Sequence, residues 1–447
     1  MAGRPLNSLL KSFGINRAVF YGVLSKVWLA GTGFITIFLI ASYFSPELQG
    51  YYFTFYSLLT LQVFVELGLG AVIINFASHE WAHLKLNQRG EIRGKDDSIS
   101  RLKSLSRIAF LWYFAGGVLI ALLLSIAGYI FFSNSNSVGI NWVAPWIILC
   151  ISTGLNMGVL PAFFLLEGCN QINNVYLYRF IQGILRTFAT WVVIVMGGGL
   201  WAPVAATALP LLWAGFFLCN RYYNYFKSLA GPLTEQNLNW KKDIWPMQWR
   251  IAVSWLSGYF FFSLFTPVLF HYKGPVVAGQ MGMTWSLINA LSMMASLWII
   301  TRAPQFGMLV SKKEYPELDR LFYRVMIISF TVAILGAVAI FALILFIFSN
   351  GYPIALRLLR PLPTAFFLLA TILMQISYAQ STYLRAHKKE PFMLLSVTSS
   401  AMMAAAVVVC GYLWGPLGIA IAYFSIIAFY GIPYGTLIWI RCKNEWH

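Results

Sequence analysis

Several residues in this chain combine types and spacings that can do chemistry. His79-Glu80-Trp81-Ala82-His83 matches the pattern H-E-x-x-H. On a helix that spacing sets two imidazoles on one face, with a glutamate beside them to activate a metal-bound water. Lys26, Glu66 and Arg186 lie inside long apolar runs, and Arg250 and Arg302 stand at the ends of two more. Ionisable groups at membrane depth are costly and mark substrate or ion paths. Lysine offers phosphate a point charge and arginine a bidentate fork. Lys26, Arg186, Arg250 and Arg302 are therefore the candidate lining of a cavity for an anion such as a diphosphate. Glu66 is the candidate carboxylate for proton or sodium coupling, or the partner that holds Lys26 in place.

The elements that position these residues are membrane spans. The chain has 447 residues, 59% of them hydrophobic and 10% charged, against about 25% charged in soluble proteins. Its mean hydropathy is +0.71. Stretches near the roughly 20 apolar residues that cross a bilayer fall at about 18–44, 51–78, 108–132, 143–166, 178–198, 200–226, 248–271, 276–301, 325–349, 361–384, 392–414 and 416–440. The expected fold is an all-α polytopic membrane protein of twelve transmembrane helices. The polar stretch at about 227–247 divides it into an N-terminal bundle (1–226, spans one to six) and a C-terminal bundle (227–447, the inner linker and spans seven to twelve). In each half two long spans are joined by a short turn, "SPELQG" and "YKGPVV", and a basic segment follows. Such a repeat points to a transporter working by alternating access.

Orientation follows the loop charges. With both termini cytoplasmic, twenty-six lysines and arginines fall on the inner side and three (Lys273, Arg357, Arg360) on the outer. The net charge of +17 thus faces an anionic leaflet, and no basic–aromatic nucleic-acid module is present. The first run is too long for a signal-peptide core and lacks a cleavage site, so it reads as a retained span. The five cysteines show no metal-ligand spacing, and no cofactor is indicated. Lys26 sits about 12 Å and Glu66 about 18 Å into their spans at the helical rise.

The zinc pattern falls at the inner end of the second span. A catalytic zinc needs a third protein ligand, and Glu66 is the only acid deep in any span. "SHEWAHL" therefore reads as an interfacial helix end, with Trp81 at headgroup level and the histidines in water. Neither a protease nor a polymerase or ligase is expected, since the outer loops are too short for a catalytic platform. The glycines Gly31, Gly33, Gly68, Gly70, Gly279 and Gly282 mark close helix approach or flexible backbone.

"FSPELQGYYFTFYSLLTLQVFVELGLGAVII" (44–74) resembles the region joining the first two spans in the polysaccharide-transport family. "RAPQFGMLVSKKEYPELDRLFYR" (302–324), "LRAHKKEPFMLLSV" (384–397) and "GPLGIAIAYFS" (415–425) are similar to that family's later loops. The resemblance spans essentially the whole chain. It is to the O-antigen (Wzx-type) oligosaccharide flippase branch of the multidrug/oligosaccharidyl-lipid/polysaccharide (MOP) exporter superfamily. It implies two six-helix bundles in a V, as in MATE-like exporters. It also implies a cationic lumen that moves a polyprenyl-diphosphate-linked glycan across a bacterial inner membrane for lipopolysaccharide O-antigen, capsule or exopolysaccharide synthesis. Ion-gradient coupling by H+ or Na+, anionic membrane lipids and other glycan-assembly membrane proteins are the expected partners. The alternative is a MATE-like ion-coupled exporter of drugs or metabolites.

Overall fold

The computed structural model describes residues 17–133, 139–231, 240, 244–387 and 389–447. Leu, Ile, Val, Phe and Ala fill its long segments because a span must match the hydrocarbon core, and those segments are helical because in lipid every backbone N–H and C=O must be satisfied within the segment. The helices are α1 (Arg17–Tyr43), α2 (Pro46–Leu59), α3 (Val63–Glu66), α4 (Leu69–Trp81), α5 (Asp96–Ser133), α6 (Val143–Gly168), α7 (Ile172–Val195), α8 (Trp201–Leu229), α9 (Trp245–Phe262), α10 (Phe265–Lys273), α11 (Pro275–Ser311), α12 (Tyr315–Ser349), α13 (Pro361–Ala386), α14 (Met393–Ser425) and α15 (Ile432–Trp446). A small antiparallel hairpin of β1 (Leu84–Leu86) and β2 (Ile92–Gly94) separates α4 from α5.

Among the described residues, eight helices are long and apolar enough to cross a membrane, or nine when the bent pair Pro46–Glu66 and Leu69–Trp81 counts as one span. Three features bring this into line with twelve. The last of these spans, 393–446, leaves helical geometry at Gly415 (φ 62°, ψ −142°), within the "WGPLG" turn. Helix α7 falls outside the apolar set. Span seven is interrupted between α9 and α10. The carbonyl freed at that interruption, Ser263 O, accepts the Ser57 hydroxyl.

The turn assigned to "SPELQG" is shorter than the sequence suggests. Ser45 caps α2 by accepting the Leu48 N–H at 3.1 Å, and Pro46 occupies the first helical turn. Both are favoured there, since the cap satisfies an orphan donor and proline has none to lose. The later "YKGPVV" works the same way: Gly274 (φ 87°) ends α10 and Pro275 starts α11.

The chain forms two compact units. One takes residues up to Thr32 and Leu61–Trp255; the other takes Gly33–Thr60 and Leu256–His447. The chain passes between them three times: within its first span, within its second, and between Trp255 and Leu256 inside α9. In the first unit, α5 and α6 meet at Gly117 and Gly154, and the buried Trp146 indole donates to Leu124 O at 3.0 Å. In the second unit, α2 packs on α11 with Gly50 against Pro275 and Gly279. A Cβ at Gly50 would lie 2.0 Å from the Pro275 carbonyl oxygen. Buried Gln49 ties the contact by donating to Gly279 O (2.8 Å) and Arg357 O (3.0 Å). Without a hydrophobic drive between helices in lipid, small residues and buried hydrogen bonds carry association. Gly279 and Gly282 are close approaches; Gly31 and Gly33 are not, with nothing within 4 Å of an added Cβ.

Candidate functional site

Glu66 lies at a break in the second span. Helix α3 ends on it, Leu67 (φ 47°) and Gly68 (φ 66°) both adopt left-handed backbone, and α4 restarts at Leu69 with a bend of 46°. Left-handed geometry costs a non-glycine residue about 1–2 kcal/mol, so Leu67 is strained and Gly68 is not. A three-residue 3-10 stretch, Thr60–Gln62, precedes α3. Interrupted backbone inside a span persists where protein groups or a polar cavity satisfy it. Here the Trp112 indole donates to Val65 O at 3.0 Å, and the buried Tyr113 hydroxyl donates to Glu66 Oε1 at 3.4 Å. Gly116, one turn further along α5, leaves room for Val65. The carboxylate is thus half-buried, aimed at a hydroxyl, and carried at a break between two helices.

Nothing in the sequence links Tyr113 or Trp112 to Glu66, since 47 residues separate each donor from its acceptor. The glycines of "ELGLG" are the signal that was legible. Gly68 serves the turn and Gly70 sits against the Phe164 ring.

Lys26 and Arg186 belong to helices that lie side by side in the first unit. Gly22 of α1 faces Tyr176 of α7, Tyr21 lies against Phe180 with ring centroids 6.4 Å apart, and Trp28 lies against Phe188 at 6.2 Å. This register puts Lys26 level with Arg186. Lys26 is half-buried and Arg186 exposed, and neither forms an ion pair among the described residues. Glu66 therefore does not hold Lys26. Two residues beyond Lys26, the buried Trp28 indole N–H has no partner among the described residues.

The register also brings together polar residues that nothing in the sequence links. Arg179, Gln182 and Arg186 recur at three- and four-residue steps, so they share one face of α7. Arg179 pairs with Glu167 at 2.7 Å, with its guanidinium 5.4 Å from the Tyr176 ring centroid. Asn156, Tyr178, Arg179 and Gln182 contribute to a small cavity of about 50 Å³. Tyr178 is within electrostatic reach of both Arg179 and Arg186.

Arg302 lies on α11 in the second unit, exposed and donating to Gln305 Oε1 at 3.1 Å. Arg250 is on α9, and its side chain falls outside the described residues, as do the basic residues of 1–16 and Lys241, Lys242 and Lys388.

The zinc pattern does not form its helical face. α4 ends at Trp81, so His83 lies past the last turn, and both histidines are exposed. Glu80 is 3.6 Å from Arg101. Among the described residues no three His, Cys, Asp or Glu side chains converge to hold a metal ion.

Neither a protein-family model nor a curated protein matches this sequence. The fold, by contrast, is shared with solved transporters. An inward-facing multidrug resistance MATE family transporter of the MOP superfamily superposes with a TM-score of 0.66 at 13% identity, over 96% of each chain. The lipid II flippase MurJ, in an inward closed conformation, gives 0.63 at 13% identity over 94% of this chain and 87% of its own. The MATE multidrug transporter DinF-BH gives 0.60 at 13% identity, over 96% of each. The chain has the multi-pass, predominantly helical fold seen in these MOP-superfamily transporters. The counterparts are transporters and flippases rather than enzymes.

Proposed function

We propose that this chain is a flippase. It moves a polyprenyl-diphosphate-linked oligosaccharide from the inner to the outer leaflet of a bacterial cytoplasmic membrane by alternating access, supplying O-antigen, capsule or exopolysaccharide synthesis. One observation carries the reading: Lys26 and Arg186 stand level on adjacent helices inside the apolar part of the chain, with no carboxylate among the described residues neutralising either. Two unpaired cations at membrane depth cost too much to be idle, and a diphosphate is the ligand that uses both a point charge and a fork. The nearby unused Trp28 N–H is a further donor. Arg250 and Arg302 belong to the same proposal as basic contacts at the inner ends of their spans. Glu66 is the coupling carboxylate, loaded by H+ or Na+ at a helix break whose two left-handed residues can change geometry.

Export of an organic cation by the same fold is the second reading. What favours it is Glu66 itself, an acid beside a buried tyrosine at a backbone break. Lys26→Ala and Arg186→Ala separate the two. Under the flippase reading each abolishes surface glycan in a host that depends on this protein, at unchanged protein level in the membrane. Normal surface glycan in both variants, with drug sensitivity raised by Glu66→Gln, would move the assignment to the exporter.

A further inference from the structure

The geometry points to a two-imidazole site for a divalent transition metal such as Zn2+, formed in the second unit by His387 at the end of α13 and His447 beyond α15. The two histidines are 60 residues apart, yet their Nε2 atoms lie 3.2 Å from each other. Two ligands on a tetrahedral zinc, each at about 2.0–2.1 Å, are separated by about 3.3 Å. The present spacing therefore already matches the bite of a metal.

The other ring atoms are arranged as such a site requires. His387 Nδ1 is 3.1 Å from the Tyr383 carbonyl oxygen, which can only accept, so Nδ1 carries the proton and Nε2 is the bare nitrogen. A metal-bound imidazole characteristically donates its other N–H to a carbonyl or carboxylate, which fixes its tautomer. His447 is stacked on Tyr315 with ring centroids 3.9 Å apart, so its plane is set. The Tyr383 hydroxyl lies 3.5 Å from His447 Nδ1 and 3.4 Å from its Nε2, and donates to Asp319 Oδ1 at 2.8 Å. Asp319 is held in turn by Lys443 Nζ at 2.7 Å.

In the metal-free form His447 Nε2–H donates to His387 Nε2. On loading, that proton moves to His447 Nδ1, where the Tyr383 oxygen accepts it, and the metal takes its place between the rings. No net proton is released. Side chains supply two ligands and water supplies the remainder, through the exposed His447 edge and the adjoining cavity of about 430 Å³ that reaches His387, Lys389 and Trp446. A bound ion would clip the ends of α13 and α15 together, whatever the chain transports.

The test uses full-length protein purified through a tag without histidine, stripped with chelator and titrated with Zn2+ by calorimetry. One Zn2+ per chain should bind and raise the melting temperature. His387→Gln and His447→Gln should each weaken binding more than tenfold while the metal-free protein stays folded and monodisperse. His79→Gln/His83→Gln should leave binding unchanged. X-ray absorption on zinc-loaded wild type gives a readout independent of any variant: two imidazole nitrogens at about 2.0 Å and no sulfur. Substoichiometric binding, full binding in the His387→Gln/His447→Gln double variant, loss in the His79→Gln/His83→Gln variant, or a sulfur ligand would each overturn the site.

Discussion

The second span is built in two ways along its length. Its first half, α2, lies in one compact unit and is locked: Gly50 touches the backbone of α11, and buried Gln49 spends its amide on two carbonyls. Its second half lies in the other unit and is interrupted, with a strained leucine, a left-handed glycine and a half-buried carboxylate at the bend. The locked half makes its contact through a glycine and a neutral amide. The interrupted half carries Glu66, the acid placed deep in an apolar run of the sequence. Close packing removes conformational choice, whereas a broken helix retains it at a cost of about 1–3 kcal/mol. A carboxylate placed at the broken half can couple its ionisation to backbone geometry, which a packed glycine contact cannot do.

The comparison can be broken first at the locked end. Gly50→Val drives a branched side chain into the Pro275 carbonyl and should remove most folded protein from the membrane, measured by fluorescence-detected size exclusion. Next, Glu66→Gln should leave the amount and melting temperature close to wild type but reduce gradient-driven transport more than tenfold. That is the loss expected when a charge-dependent step worth about 1.5–3 kcal/mol disappears. Unchanged transport would make the break purely structural. Smaller still, Leu67→Gly should relieve strain and raise stability by about 1 kcal/mol, while Gly68→Ala should lower it by a similar amount. Equal and negligible shifts would contradict the backbone assigned to the bend. The smallest effect belongs to His79→Gln/His83→Gln, expected within about 0.5 kcal/mol of wild type and without consequence for transport.

A pH effect contrasts with these. Burial holds His387 and His447 below the ordinary histidine value, although the Tyr383 carbonyl pulls the first upward and Asp319 the second. The neutral pair therefore contributes fully above about pH 6.5, and its contribution is lost as pH falls through the lowered values. Hydrogen exchange at the end of α15 should quicken below that window. His447→Gln should flatten the response.

Much of this was legible in the sequence. Apolar length marked the spans, and the glycines after Glu66 marked close packing or flexible backbone, of which the structure has both: Gly68 in the turn and Gly70 against Phe164. What stayed hidden depends on contacts between distant segments. Gly31 and Gly33 look like packing glycines and face open space, whereas Gly50, inside an assigned turn, makes the tightest contact with α11. Tyr113 and Trp112 meet the bend only because α5 runs past it. The histidines offer the sharpest case. His79 and His83 satisfy a pattern and separate at a helix end, while His387 and His447 satisfy none and meet at 3.2 Å. A spacing rule presumes a regular helix, and that presumption fails where helices stop.

The most direct measurement is reconstitution: purified wild type and Lys26→Ala/Arg186→Ala in proteoliposomes, with a fluorescent polyprenyl-diphosphate-linked oligosaccharide whose leaflet is read by quencher access. Wild type should equilibrate the lipid between leaflets, the double variant should not, and an organic cation should be ignored by both. Lipid that stays in its leaflet with wild type, together with cation transport that requires Glu66 but neither basic residue, would contradict the assignment.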